Sequence, residues 1–144
     1  MGYGNVVMMK PGEDITFGGG YVMDGFKLKG NLGEKEMKSA MLIDKKVKGT
    51  VIDEGGNAAK IKNNRTKISF DHKDKTTLCS IDMFIKAEPL AESFDFNKAE
   101  KQLKEDAEAM LERVYGEMDV DIFGLTKDNN ETVDFDVAVF IEKE

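Results

Sequence analysis

Apolar and polar positions follow two different periods along the chain, and each change of period marks a new element. Residues 1–13, up to Pro11-Gly12, read as a loose leading segment or a short edge strand. Ile15, Phe17, Tyr21 and Val22 then place a strand from Asp14 to Met23, where Gly18-Gly19-Gly20 mark a bulge or a close backbone approach. Asp24-Gly25 is a tight-turn signal, and Phe26-Lys27-Leu28-Lys29-Gly30 alternates as the return strand of a hairpin. Met37, Ala40 and Met41 stand at helical spacing, which predicts a short helix from about Asn31 through Ile43.

Period two then returns. Residues 47–52 alternate, Gly55-Gly56 turn the chain, and Ala59 and Ile61 lie on a second short strand. Asn63-Asn64 predict another turn, and Ile68 and Phe70 lie on a third strand before the polar turn Asp71-His72-Lys73-Asp74-Lys75. A long fourth strand runs from Thr76 to Ala87 with Cys79, Ile81, Met83 and Ile85 on one face, and Pro89 ends it. Asn97 fits an N-cap, with Glu100 as its capping-box partner. Beyond it Ala99, Leu103, Ala107, Met110, Leu111, Val114 and Met118 form a stripe at steps of three and four, which predicts a helix to about Met118. Val133, Phe135, Val137, Val139 and Ile141 alternate as a final strand. An apolar stripe on one long helix has to cover the apolar face of a sheet. The predicted class is therefore α+β: a mostly antiparallel or mixed sheet, one long amphipathic helix across one face, and a short helix near the N-terminal hairpin.

The length of 144 residues fits a single domain spanning 1–144 that needs no disulfide or metal staple. The net charge of −7 disfavours nucleic acid as a partner. That charge is unevenly divided: residues 1–75 carry 14 basic and 10 acidic side chains, and residues 76–144 carry 7 basic and 18 acidic. This distribution predicts a basic sheet surface and an acidic helical one, fit for two different partners. Lys45, Lys46, Lys48, Lys60, Lys62, Arg65 and Lys67 form the basic side of the meander and make a candidate interaction surface for anionic lipid head groups or an acidic partner. No run approaches the length of a membrane span and no signal or anchor is evident, so the chain as written reads as soluble.

Catalytic and metal chemistry find little footing. His72 is the only histidine and is placed in an exposed turn; Cys79, the only cysteine, alternates inward as a buried thiol with no base beside it. Asp119, Asp121, Asp128 and Glu131 lack the calcium-loop pattern and read as solvated carboxylates. Gly18-Gly19-Gly20 lacks the Lys-Ser/Thr and strand–turn–helix context of a phosphate cradle. Asp134 and Asp136 fall on the outward face of the last strand, where charge discourages edge-to-edge pairing. No catalytic residue, cofactor or metal is predicted, and a hydrolase or transferase is disfavoured.

The order of segments carries one further reading. The strand with Gly-Tyr-Val-Met (20–23) is followed by Phe26-Lys27-Leu28-Lys29-Gly30, the helix start Gly33-Glu34-Lys35-Glu36, and the stretch 42–52 with Lys48-Gly49. A long helix then closes on Asp119-Val120-Asp121-Ile122-Phe123-Gly124-Leu125. Over about residues 14–142 this resembles the C-terminal domain of the Ger(x)C family, the lipoprotein C subunits of spore germinant receptors. The resemblance implies a non-catalytic domain that takes part in spore germination with integral-membrane receptor subunits, at the outer face of the spore inner membrane. It makes Gly30, Gly49, Phe123 and Gly124 structural matches. The family's further helical segment before the last strand is replaced here by the short stretch 125–132. The family's lipid-attachment segment and N-terminal domains have no counterpart in these 144 residues, which read as an excised domain or a shortened relative. The alternative is a free-standing soluble α+β domain that binds a small molecule or a protein.

Overall fold

The structure, a computed structural model, describes residues 2–3, 5–8, 20–24, 27–44, 49, 51–124 and 132–144. The order of elements is β1 (Gly2–Tyr3), β2 (Asn5–Met8), β3 (Gly20–Asp24), β4 (Lys27–Leu32), α1 (Glu34–Ile43), β5 (Val51–Glu54), β6 (Asn57–Lys73), β7 (Thr76–Pro89), α2 (Phe96–Leu111), a π-helical segment (Glu112–Glu117), β8 (Val120–Asp121) and β9 (Thr132–Lys143). β5, β6, β7 and β9 form a four-stranded sheet in that order; β5–β6 and β6–β7 are antiparallel and β7–β9 is parallel. β2, β3 and β4 make an antiparallel three-stranded sheet, and β1 pairs with β8 in parallel. The α+β class with a mixed sheet and two helices is as the periodicity predicts.

Alternation on β7 puts Thr77, Cys79, Ile81, Met83, Ile85 and Ala87 on one buried face. Ile61 on β6 and Val137, Val139 and Ile141 on β9 continue that face sideways. α2 and the π-helical segment form one continuous helical rod of 22 residues, about 33 Å at 1.5 Å per residue. All seven residues of the predicted stripe on it are buried in the same core. α1 closes the remaining side with Met37, Ala40, Leu42 and Ile43.

Side-chain contacts fix the ends of these elements. Glu36 accepts from the backbone N–H of Gly33 at 3.1 Å, the carboxylate half of a capping box, and pairs with Arg113 of the π-helical segment. At the other end of α1 the carbonyl of Leu42 accepts from Asn64 Nδ2 and Thr66 Oγ1, both at 2.9 Å. Gly30 of β4 lies under the end of the helical rod: a Cβ there would stand 2.8 Å from Cε of Met118, so a larger residue would have to push the end of that flexible side chain aside.

Several expectations are corrected. Asn63-Asn64 are not a turn: β6 runs unbroken for 17 residues, with a register shift between Ile61 and Asn63 that takes up one extra residue as a bulge. Pairing along all of β7, and the bond from Asn64 to Leu42, outweigh the poor strand preference of asparagine. The N-cap of the long helix is Asp95, two residues before Asn97. The Asp95 carboxylate accepts from Lys98 N at 3.1 Å, and its backbone exchanges two 2.8 Å bonds with the side chain of Asn57. The earlier start packs Phe94 edge-on against Phe96. In the N-terminal hairpin the bulge lies between Val22 and Met23; Gly18 and Gly19 are outside the described residues, as is the turn at Gly25.

Candidate interaction surface

The helices cover one face of the four-stranded sheet, and the other face is open. Strand alternation and register define it as three columns on β6, β7 and β9, with Val51 and Asp53 of the short β5 beside the first. On β6 the column holds Lys60, Lys62, Arg65, Lys67, Asp71 and Lys73, all exposed. On β7 it holds Leu78, Asp82, Phe84, Lys86 and Glu88, and on β9 Asp134, Asp136, Phe140 and Glu142. Of the predicted basic group, the structure thus brings Lys60, Lys62, Arg65 and Lys67 together on one strand; Lys45, Lys46 and Lys48 lie outside the described residues.

At the centre is a row of three stacked groups, one per strand. The Arg65 guanidinium carbon sits 5.0 Å from the centre of the Phe84 ring, within cation–π range. Phe84 in turn stacks on Phe140 with centroids 5.2 Å apart and planes 15° from parallel. A shallow cavity of about 460 Å³ lies beside this row, lined by Asn63, Arg65, Phe84, Lys86, Phe140 and Glu142 among others. Lys62 reaches Glu88 at 3.2 Å across the strands, and Lys67 is level with Asp82. Phe140 is 47% exposed and Leu78 52%, so this apolar surface is open to water.

Across the three columns, basic side chains (Lys60, Lys62, Arg65, Lys67, Lys73, Lys86) and acidic ones (Asp71, Asp82, Glu88, Asp134, Asp136, Glu142) are equal in number. The basic column is therefore bordered by acidic groups, those of β9 across β7 and Asp53 of β5 at its other edge. Sequence reasoning missed Phe84 and Phe140 as members of this surface. The available signal was parity: each occupies the outward position of its strand, where neighbours are charged.

The remaining candidates are held inside the fold. Asp121, expected to be solvated, is buried and accepts from the Tyr115 hydroxyl at 2.7 Å; that hydroxyl accepts from Phe123 N–H at 3.0 Å. Tyr115 thus clamps the chain as it leaves the helical rod, and Gly124 follows with φ of +68°, a conformation that suits glycine. Burial, the hydrogen bond to Asp121 and the Asp121 charge all drive the Tyr115 pKa far above its ordinary value. Burial and then the Asp121 charge raise that of Cys79 to about 11, which leaves a protonated, weakly nucleophilic thiol. His72, expected in an exposed turn, is a half-buried strand residue whose Nδ1 lies 2.7 Å from Thr77 Oγ1 and whose ring meets Phe70 edge-on; Asp74 and Lys75 make the turn instead. Asp119 is exposed, while Asp128 and Glu131 are outside the described residues. Among the described residues no group of three or more His, Cys, Asp or Glu is placed to hold a metal ion, and no helix is long and apolar enough to cross a membrane.

A family model described as "Spore germination B3/GerAC like, C-terminal" matches residues 18–135. Among solved structures, the crystal structure of the GerBC protein superposes on 99% of the chain with a TM-score of 0.80 and 18% sequence identity. The chain spans 57% of the GerBC chain. No curated protein sequence matches it.

Proposed function

This chain belongs to the spore germination B3/GerAC-like C-terminal family, and on that premise we propose that it is a non-catalytic interaction domain of a germinant-receptor C subunit. It acts in spore germination through integral-membrane receptor subunits at the outer face of the spore inner membrane. The observation that carries the reading is the open sheet face, with its stacked Arg65–Phe84–Phe140 row flanked by columns of opposite charge. An exposed surface with an aromatic and arginine centre and a charged rim has the anatomy of a docking site. The titratable groups best suited to chemistry, Cys79 and Tyr115, have their ionisation opposed by burial and by Asp121. The lack of net positive charge on the face, whose acidic groups are at least as many as its basic ones, favours a protein partner over an anionic lipid surface, which attracts net positive charge.

The test is incorporation into the receptor. In the spore former that encodes the protein, Lys60→Glu/Lys62→Glu/Lys67→Glu is expected to abolish co-purification with the multi-span receptor subunits and to slow nutrient-triggered germination, at unchanged protein level. Wild-type incorporation and germination of this variant would refute the reading. Stronger binding of the wild-type chain to anionic than to neutral vesicles, lost in the variant, would reassign the face to lipid.

A further inference from the structure

Away from the centre of the open face, the helical rod and β9 border a second cavity of about 370 Å³. Its floor is apolar: Leu111 and Tyr115 of the rod are buried, and Val133 and Phe135 of β9 are half-buried. Glu108, Glu112, Gly116 and Asp134 complete the lining, and all but Glu108 are exposed. We infer that this groove takes a basic, extended segment of a partner protein, added as a strand to the start of β9.

The main chain calls for an extended occupant. β9 is the last strand of its sheet, and among the described residues no strand pairs with its outer edge. Thr132 N–H donates to the Lys75 carbonyl at 2.9 Å and Glu144 N–H to that of Ala87 at 3.1 Å, and the register between them is unbroken. Even-numbered residues therefore turn their main chain to β7, and the N–H and C=O groups of Val133 and Phe135 point to the free edge. Asp134 sends its side chain to the opposite face of the sheet from theirs yet lines the same cavity, so the cavity reaches around that edge. Farther along, Val137, Val139 and Ile141 are buried, which confines the accessible edge to the start of the strand. Val133 and Phe135 each offer one donor and one acceptor there to an added strand.

The side chains call for a basic one. The lining holds three carboxylates and no cation; Lys104 offsets Glu108 alone, at 3.5 Å. The Tyr115 hydroxyl is committed to Asp121 and to Phe123 N–H, so this residue presents its ring to the groove. Successive residues of an added strand point to opposite faces. One enters the groove, where the stem of an Arg or Lys lies on Leu111, Tyr115 and Phe135 with its charged head at Glu112. The next points the other way, beside Asp134. The edge of a second β9 does not answer this pattern, because it sets Asp134 and Asp136 against the same two residues. Gly116 leaves one wall open: a Cβ there meets no atom within 4 Å.

Titration of this chain with the peptide acetyl-Ala-Arg-Arg-Arg-Ala-amide, followed by amide NMR shifts, tests the inference. Saturable binding is expected, with shifts at Leu111, Tyr115, Gly116 and residues 133–135. Glu112→Lys, which reverses a charge, and Gly116→Trp, which fills the groove, are each expected to weaken it roughly tenfold or more, and Gly116→Ala by less than about twofold. The peptide with glutamate in place of arginine is expected not to bind, nor the arginine peptide methylated on every main-chain nitrogen. Lys60→Glu/Lys62→Glu/Lys67→Glu is expected to keep the affinity within about threefold, so the groove and the open face are read separately. Absence of saturable binding at millimolar peptide, equal binding of the methylated peptide, an affinity that Glu112→Lys leaves unchanged, or shifts centred on Phe84 and Phe140 would each overturn the inference. Glu112 is exposed, so its variant decides the matter even where Gly116→Trp fails to fold.

Discussion

Replacing Tyr115 with phenylalanine tests the clamp that holds the chain as it leaves the helical rod. The hydroxyl donates to the buried Asp121 at 2.7 Å and accepts from Phe123 N–H at 3.0 Å. The ring stays in place against Phe135, with centroids 5.0 Å apart, so the change removes one atom and little volume. A hydrogen bond to a charged group is worth about 1.5–3 kcal/mol, and leaving a buried donor unpaired costs about 1–3 kcal/mol. The two terms share one atom, and Phe123 N is partly buried, so their combination is nearer to about 3 kcal/mol than to the sum of the upper limits. With a urea slope of about 2 kcal/mol/M, the unfolding midpoint should fall by about 1.5 M at unchanged slope, and Tm by about 6–12 °C.

Asp121→Asn in the same background supplies the control, because an amide oxygen still accepts from Tyr115 but carries no charge. The two changes should couple by more than about 0.5 kcal/mol in a double-mutant cycle. A loss below about 0.5 kcal/mol for Tyr115→Phe, the range of an ordinary surface change, would refute the reasoning. So would full additivity with Asp121→Asn, since it would mean that the charge of Asp121 adds nothing to the 2.7 Å contact.

Three further outcomes follow from the same contacts. Leu103→Ala, at the centre of the buried stripe, should cost about 2–5 kcal/mol by thermal unfolding, while Lys104→Ala on the exposed side should stay within about 0.5 kcal/mol. Cys79 and Tyr115 both have raised pKa values, so the folded chain keeps protons that the unfolded chain releases; their contribution is complete below about pH 9 and is lost as pH rises towards 11 and beyond. The Cys79 part is on the order of 2–3 kcal/mol, and Cys79→Ala should flatten the fall in urea midpoint between about pH 8 and pH 10.5. Gly30→Ala should cost no more than about 1 kcal/mol, because the Met118 thioether end that its Cβ meets at 2.8 Å can rotate away. Combined with Met118→Ala it should cost less than the sum of the two singles, as read from a chemical-denaturation cycle.

What was legible in the sequence is what repeats along it. The stripe from Ala99 to Met118 and the inward face of β7 are read from period alone, and together they imply a helix laid on a sheet. What escaped depends on partners remote in sequence. Asn64 belongs to a strand because its amide reaches Leu42 in α1, 22 residues away. Asp95, not Asn97, begins the helix because Asn57 holds its backbone from 38 residues away. Asp121 looks like one more carboxylate in an acidic stretch until Tyr115 is seen to reach it across the turn. A single-residue shift in β6 exchanges faces, so the outward row containing Arg65 could be matched to Phe84 and Phe140 only through the register of three strands.

Topology changes the meaning of the uneven charge. Read along the chain, the basic first part and acidic second part suggest a basic sheet surface and an acidic helical one, each with its own partner. The helical rod does carry acidic residues outward, among them Glu105, Glu112 and Glu117. Its larger effect is to return the chain beside β7, where β9 adds in parallel. That single pairing brings Asp134, Asp136 and Glu142 onto the same open face as Lys60, Lys62, Arg65 and Lys67, one strand apart. Had β9 joined beyond β5, the aromatic pair Phe84–Phe140 would not exist. With β7 between them, opposite charges are separated by the width of one strand and Phe84 fills the gap. The face acquires a direction across its strands, basic on β6 and acidic on β9 with the aromatic pair between.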